Sequence, residues 1–411
     1  MAKTKLTDIA GLLEDYPQEE YQIAEETISQ GTAPGEHYGS VILAVDLKIR
    51  KKSDAKNEQH LRLIAKLLPA NEMLRKVFNV YVTFKKEVLA YTDAVPAIAR
   101  FQQLHGIPAE KSYRNLFPKC HGARINADTD VLEVDDQCVL LLENLKIRGF
   151  RTEDRLRGLD AEAVRLILRD LARFHATPVA FKLLDREEFD AKVMPCLVDS
   201  SVMEEVPHIR SVFHDSILEG ALDCAELAPH WDRIRAVCEA VKSLKKPEPG
   251  EPWATVCHQD FWTSNTMIRK EGGRCVENKI VDLQLTGYDS GLKDLVFFLF
   301  TSVINEVLDE HFDEFLKIYY DAFIDTLKDY EGVDVGRFSW AGFNRELEIA
   351  ASSEVYHILF MLKPICTERG AVKNSPENFQ DSDWTRKDLL GPNHRRKLKE
   401  TVLSLVKRKF L

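Results

Sequence analysis

Residues 257–268 read CHQDFWTSNTMI, and residues 280–284 read IVDLQ. In the first stretch Asn265 follows Asp260 by five positions (265 − 260), and His258 stands two before it. Asp282 lies 17 positions beyond Asn265 (282 − 265). The apolar flanks Ala254–Val256 and Ile280–Val281 read as short buried strands. Glu271-Gly272-Gly273 between them reads as a hairpin turn. Folded so, the chain gathers Asp260, Asn265 and Asp282 at the ends of short strands.

These residue types in this order suit phosphoryl transfer. A carboxylate must orient the attacking hydroxyl and accept its proton, which is the place for Asp260. Magnesium takes hard oxygen ligands, and Asn265 and Asp282 supply an amide and a carboxylate. His258 reads as a scaffold for the loop, not as a base. An HxD with a later Asn is a weak signal alone; the second Asp in an apolar frame makes it specific. A metal-dependent hydrolase using His258, Asp260 and Asp282 is the rival reading. Such sites want further His or carboxylate ligands, and no other histidine lies between His230 and His311.

Upstream, Val41, Leu43, Val45, Leu47 and Ile49 alternate with more polar residues, the period of a strand. Polar Lys51–Gln59 reads as a turn, and apolar Leu61–Leu68 as the returning strand. Lys66 lies inside that strand, where a lysine is costly unless paired. Helical spacing over Phe78–Ala90 puts Phe84, Glu87 and Tyr91 on one inward face. Glu87 can then pair with Lys66, and the lysine can hold nucleotide phosphates. Gly31–Ser40 contains Gly35 and Gly39 and reads as a flexible phosphate cover, with Gly35 and Ser40 as contact residues. Val139–Leu142 reads as a buried strand. The connector after it places Glu143 and Leu145 where backbone groups meet an adenine edge.

Downstream the pattern is helical. Asp160 reads as the N-cap of a helix with the stripe Val164, Ile167, Leu168, Leu171, Phe174 and His175. Further helices are expected near 200–245, 291–330 and 341–362, with Lys245–Pro252 as a Pro-rich connector. His175 and Asp294 read as structural. The basic, amphipathic tail 394–411 reads as a solvated helix, with contact to an anionic membrane as its alternative. The expected fold class is α+β with two lobes: residues 1–142 as a β-rich nucleotide lobe, 143–147 as a hinge, and 148–411 as an α-rich catalytic and acceptor lobe.

Composition agrees. The 411 residues carry 56 Lys and Arg against 66 Asp and Glu, a net charge of −10, which argues against a nucleic-acid binder. The longest apolar run, Leu295–Ile304, is about half of the ~20 residues a membrane span needs. No secretory signal is expected at the N-terminus. Eight cysteines form no CxxC pair, so free thiols in the cytoplasm are expected.

CHQDFWTSNTMI, then IVDLQ, then GLKDLVFFLFTS at 291–302 resemble the ecdysteroid-kinase-like family of insects, over roughly residues 30–365. That family belongs with choline kinases and aminoglycoside phosphotransferases in the protein-kinase-like fold. Residues 35–40 resemble its glycine loop, Lys66 its ATP lysine, Phe84-x-x-Glu87-x-x-x-Tyr91 its helix glutamate motif, Leu142–Leu145 its hinge, and Leu171-Ala-x-x-His175-Ala its helix marker. The resemblance implies Asp260 as catalytic base, Asn265 and Asp282 as magnesium ligands, and Lys66 on the phosphates of ATP. It implies a kinase that moves the γ-phosphoryl group of ATP to an alcohol, an ecdysteroid or a xenobiotic, in hormone inactivation or detoxification. A choline or aminoglycoside kinase and a nucleotide-binding pseudokinase are the alternatives. The chain departs from the family at Gln259, where Gly is usual, at Ser264 for Asn, at Leu283 for Phe, and at His37 and Gly39 for Asn and Ala. None of these removes a charged residue of the mechanism.

Overall fold

Alternating apolar residues draw the first third of the chain into a sheet. The computed structural model describes residues 6–31, 39–128, 130–200, 202, 204, 206–240, 249–368, 370–371, 380, 383, 386 and 389–411. Five strands, β1 (Tyr21–Gln30), β2 (Val41–Lys51), β3 (Asp54–Leu67), β4 (Cys120–Arg124) and β5 (Val139–Glu143), run antiparallel in the order β1-β2-β3-β5-β4. The polar stretch Lys51–Gln59 is not the turn expected. The turn is Lys52-Ser53, and β3 already begins at Asp54. Residues 51–54 and 56–60 are exposed, so burial selects no apolar side chains among them and the backbone ladder carries the hairpin tip.

One face of the sheet buries Val45, Leu47, Ile49, Leu63, Ala65, Leu67, Val139 and Leu141, closed by Leu6, Leu13 and the short helix α1 (Ile9–Leu12). Period two sends Lys66 to the other face, with Leu68, Leu140 and Leu142. There α2 (Glu72–Val77), α3 (Val80–Leu89) and α4 (Val95–Leu104) pack, the last two joined by a π-helical turn at Ala90–Ala94. Phe84, Ile98 and Phe101 belong to the large core that also holds α5 (Ala161–Leu184); Phe101 stacks on Phe181 at 4.6 Å. The helices after β3 thus share their core with the second half of the chain.

Asp160 caps α5, accepting from the Ala163 N–H at 3.0 Å, and the expected stripe is buried throughout. The helices that follow are α6 (Arg186–Lys192), α7 (Pro207–Leu222), α8 (Trp231–Ala240), α9 (Gly291–Ser302), α10 (Asn305–Lys328), α11 (Trp340–Cys366) and α12 (Pro392–Lys407). Between α8 and α9 come β7 (Ala254–Cys257), β8 (Thr266–Glu271), β9 (Arg274–Ile280) and β10 (Gly287–Ser290); with β6 (Phe150–Arg151) they form the small sheets β6-β8-β9 and β10-β7. Sheet first and helices after it, this is the α+β class expected.

The basic tail differs from expectation. Leu398, Val402 and Leu405 of α12 are wholly buried, so the helix is not solvated all round. Its cations lie along the rim: Arg408 donates to Asp309 at 2.8 Å and Lys399 to Glu226 at 3.2 Å. The amphipathic stripe marked a face for burial, and its partners on α7 and α11 lie far away in sequence. Among the described residues no helix is long and apolar enough to cross a membrane.

Candidate active site

The site begins with the lysine that sequence period turned inward. Lys66 Nζ lies 2.6 Å from Glu87 Oε2 and 2.7 Å from Asp282 Oδ1. Glu87 is buried on α3 beside Phe84 and Tyr91, the three residues expected on one face. Its other oxygen accepts from the Leu283 N–H at 3.2 Å, which ties α3 to the turn after Asp282. Burial alone would strip the proton from Lys66, but Asp282 and Glu87 outweigh it and raise the lysine's pKa. For Glu87, burial dominates and lifts the carboxyl to about 7, with Lys66 opposing and Asp282 adding.

The second part is the loop 258–265. The β8–β9 hairpin turns at Gly272 (φ 56°) and Gly273 (φ 83°), a conformation that glycine adopts freely. Its ladder pairs Thr266 with Ile280, so Asn265 comes opposite Val281, whose N–H donates to the Asn265 carbonyl at 3.0 Å. That pairing brings Asp282 to Asn265 across 17 positions. Asn265 Nδ2 donates to Asp260 Oδ2 at 2.9 Å and to the Asp260 carbonyl at 2.8 Å. With Nδ2 turned to Asp260, the amide oxygen is the end left to a cation.

Asp260 is lifted to about 7, first by burial and then by the charge of Asp282. His357 opposes this, as do Asn265 and the Trp262 indole N–H, which lies near the carboxylate without closing a hydrogen bond. Two carboxylates, Asp282 and Glu87, thus share one ammonium, and Asp260 feels the charge of Asp282. The surplus negative charge, with hard oxygen donors on Asp282 and Asn265, fits a divalent cation.

Behind the loop stands a brace. Asp294 accepts from the His258 N–H at 2.5 Å and the Gln259 N–H at 2.9 Å. It also accepts from His175 Nε2 at 3.1 Å, and His175 Nδ1 accepts from the Tyr319 hydroxyl at 2.7 Å. His258 Nε2 donates to the Val281 carbonyl at 2.9 Å, and burial keeps the ring neutral. His258, His175 and Asp294 therefore hold the loop, as read from sequence. His175, Cys257 and Asp294 come close enough to hold a metal ion, but these hydrogen bonds already account for the pair His175–Asp294.

Gln259 sits at φ 61°, the left-handed region in which a glycine is at ease. Its side chain lies over Gly287, where an added Cβ would come within 2.5 Å of Gln259 Nε2.

The other expected contact residues lie on neighbouring segments: a Cβ on Gly39, beside Ser40, would come within 3.3 Å of the Gln284 side chain, two positions after Asp282. Ser40 is buried at the start of β2, two positions before the Ile42–Lys66 pair. Gly35 lies outside the described residues. Glu143 ends β5; its N–H donates to the Lys119 carbonyl at 2.8 Å and its carboxylate accepts from Arg148 at 3.1 Å. Leu145 is buried and opens the 3₁₀ turn that follows. Glu354 and His357 of α11, which meet at 2.8 Å, were not singled out in the sequence; the charge of His357 acts on Asp260.

A family model described as the ecdysteroid kinase-like family matches residues 34–332. The chain belongs to the ecdysteroid kinase-like family. As a member of it, the protein is a small-molecule phosphotransferase acting on hydroxyl groups. No curated protein matches this family member significantly. Among solved structures it is similar to a choline kinase from Cryptosporidium parvum, with 9% identity, 97% of this chain and 93% of that chain covered, and a TM-score of 0.45. It is similar to an ethanolamine kinase from Plasmodium vivax, with 13% identity, 96% and 85% covered, and a TM-score of 0.39. It is similar too to an aminoglycoside phosphotransferase from Streptomyces rimosus, with 13% identity, 82% and 93% covered, and a TM-score of 0.34.

Proposed function

We propose that this family member is an ATP- and Mg²⁺-dependent kinase that phosphorylates a small-molecule alcohol, an ecdysteroid or a lipophilic xenobiotic, in hormone inactivation or detoxification. The observation that carries this reading is the Lys66 ammonium, held between Glu87 and Asp282 at 2.6 and 2.7 Å, on the same hairpin base that presents Asp260 and Asn265. Residues 1–142 are the nucleotide lobe, 143–147 the hinge, and 148–411 the catalytic and acceptor lobe.

Asp260 accepts a hydrogen bond from the acceptor hydroxyl, aims its oxygen at the γ-phosphorus, and takes the proton on a carboxylate oxygen as the new O–P bond forms and the bond from the γ-phosphorus to the β–γ bridging oxygen breaks, so that ADP leaves. Asn265 Nδ2 holds that carboxylate in place. Lys66 stays charged and binds phosphate oxygens, while Glu87 fixes the ammonium. Asn265 and Asp282 are the residues that would hold a divalent cation, which would supply neutralisation of charge on the phosphates. Gly35 and Ser40 cover the phosphates, and Glu143 and Leu145 border the adenine. None of the eight cysteines is paired, which supports a reducing compartment, the cytoplasm.

ATP consumption with Mg²⁺ across ecdysteroids, choline, aminoglycosides and plant phenols tests this, with Asp260→Asn as control. A signal that depends on one acceptor and vanishes in the variant is the expected result. ATP-dependent thermal stabilisation with no product from any alcohol would overturn it in favour of a non-catalytic module.

A further inference from the structure

A cavity of about 460 Å³ lies on the solvent side of α4, and no residue of the Lys66 cluster lines it. That volume falls within the roughly 300–1,000 Å³ of small-molecule sites. Three segments of chain frame it. The π-helical turn Ala90–Ala94 and α4 give Asp93, Arg100 and Gln103. The 3₁₀ turn Tyr113–Leu116 and its N-cap give Arg114 and Ser112, and the last residue of α6 gives Lys192. The π turn is a rare form that recurs at functional sites. Here it buries Tyr91 and Ala94 and leaves Thr92 and Asp93 to the cavity. Thr92 Oγ1 donates to Asp93 Oδ2 at 2.7 Å and so fixes that carboxylate.

The charges are the second observation. The chain carries −10 overall, yet Arg100, Arg114 and Lys192 line this cavity with a single carboxylate, Asp93. Arg100 is engaged by Glu188. Arg114 and Lys192 form no ion pair, and neither they nor Gln103 and Ser112 make a side-chain hydrogen bond among the described residues. Two cations without counter-charge in a concave setting attract an anion, whatever the sign of the whole chain. A guanidinium grips a phosphate through parallel N–H donors, and an ammonium adds a point charge. The Gln103 amide, the Ser112 hydroxyl and the Asp93 carboxylate offer the donors and acceptors that hydroxyl groups use.

We propose that this cavity is a second small-molecule site, for a phosphate monoester of a hydroxylated compound. Arg114 and Lys192 take the phosphate, and Asp93, Gln103 and Ser112 take hydroxyls. The inference goes beyond the kinase reading and does not depend on it.

Equilibrium dialysis of the full chain with ribose 5-phosphate, inorganic phosphate and ribose tests this, once with Mg²⁺ and once with EDTA. Ribose 5-phosphate should bind at least about fivefold more tightly than inorganic phosphate, the gain from one or two hydroxyl contacts, and ribose far more weakly than either. The chelator should leave the Kd of the ester within about twofold, because the cavity brings its own cations. Arg114→Glu and Lys192→Glu should each raise that Kd at least about tenfold, the loss of a charge-assisted contact. Both side chains are exposed, and thermal melts establish that each variant is folded. Unchanged Kd in the two folded variants overturns the inference. So does binding that requires Mg²⁺, which would place the phosphate at Asn265 and Asp282. Affinity for inorganic phosphate or ribose equal to that for the ester overturns the assignment of a phosphate ester. Failure of the ester to bind at millimolar concentration overturns the site itself and leaves the kinase reading standing.

Discussion

Lys66 and Asp282 are 216 positions apart in the chain and 2.7 Å apart in space. The strand that carries Lys66 and the hairpin that delivers Asp282 come from the two ends of the fold, and Glu87 of α3 closes the triangle. The ammonium is paired with two carboxylates, so its loss is felt in both stability and nucleotide binding. Lys66→Met should lower stability by about 3–5 kcal/mol, the cost of removing one partner of a buried ion pair. It should also cut turnover at fixed ATP by orders of magnitude. A thermal melt and ATP-dependent kinetics check both, and wild-type KM for ATP would contradict the role given to Lys66.

Asp260→Asn keeps the shape of the loop, because Asn265 Nδ2 can still donate to the amide oxygen. Turnover should fall about 10²–10⁴-fold, the range for removing a general base. The melting shift produced by ATP with Mg²⁺ should persist, and product formation near wild type would remove Asp260 from the mechanism.

Asp260 and Glu87 both titrate near 7 in the folded protein, raised by burial above their ordinary values. Between the unfolded and folded pKa values the folded state binds more protons, so stability falls as pH rises from about 4 to 7. Asp260→Asn removes one of these groups. In the absence of nucleotide and metal it should be more stable than wild type near pH 7.5, on the order of 2 kcal/mol, and no more stable near pH 4. Melts across that range check the sign. Activity should move the other way, since only the carboxylate accepts a proton and turnover drops as acid protonates it.

Gln259 occupies a left-handed conformation that costs an ordinary residue roughly 1 kcal/mol. Gln259→Gly should therefore be neutral or stabilising by up to about 1 kcal/mol and should leave KM for ATP unchanged. Gly287→Ala forces the Gln259 side chain aside in wild type, and that clash is gone in the Gln259→Gly background. Denaturant unfolding of the single and double variants shows whether the two positions are coupled.

Leu398 is wholly buried on α12, in contact with the main core and remote from the Lys66 cluster. Leu398→Ala should cost about 2–5 kcal/mol with both KM values unchanged. A small effect would mean that α12 is peripheral after all.

Much of the site was legible because its residues lie in local patterns. Asp260, Asn265 and Asp282 are spaced by one loop and one hairpin, and a Gly-Gly turn announces that hairpin. Lys66 betrayed itself as a charge inside an apolar strand, and Glu87 by its helical phase with Phe84 and Tyr91. His357 and Glu354 carry no such mark. They sit on a 27-residue helix, three apart, where a Glu-x-x-His pair reads as ordinary solvated surface, and only the packing of α11 on α9 stacks His357 on Phe297. The hairpin tip 51–60 misled for the opposite reason: with both faces in water, nothing in the side chains distinguishes strand from turn. For α12 the amphipathic stripe was visible, but what it packs on was not.

The β8–β9 hairpin has a length its function does not need. Asn265 and Asp282 are aligned by the Thr266–Ile280 pair at the base, whereas Gly272 and Gly273 stand at the far tip with open space around them. The two ends thus obey different rules. Added residues at the tip leave the two oxygen ligands facing each other, while a single-residue slip of β9 at the base turns Asp282 to the opposite side of the ribbon. The spacing of 17 is incidental to the chemistry; it is the parity of the ladder that relatives with longer or shorter tips have to keep.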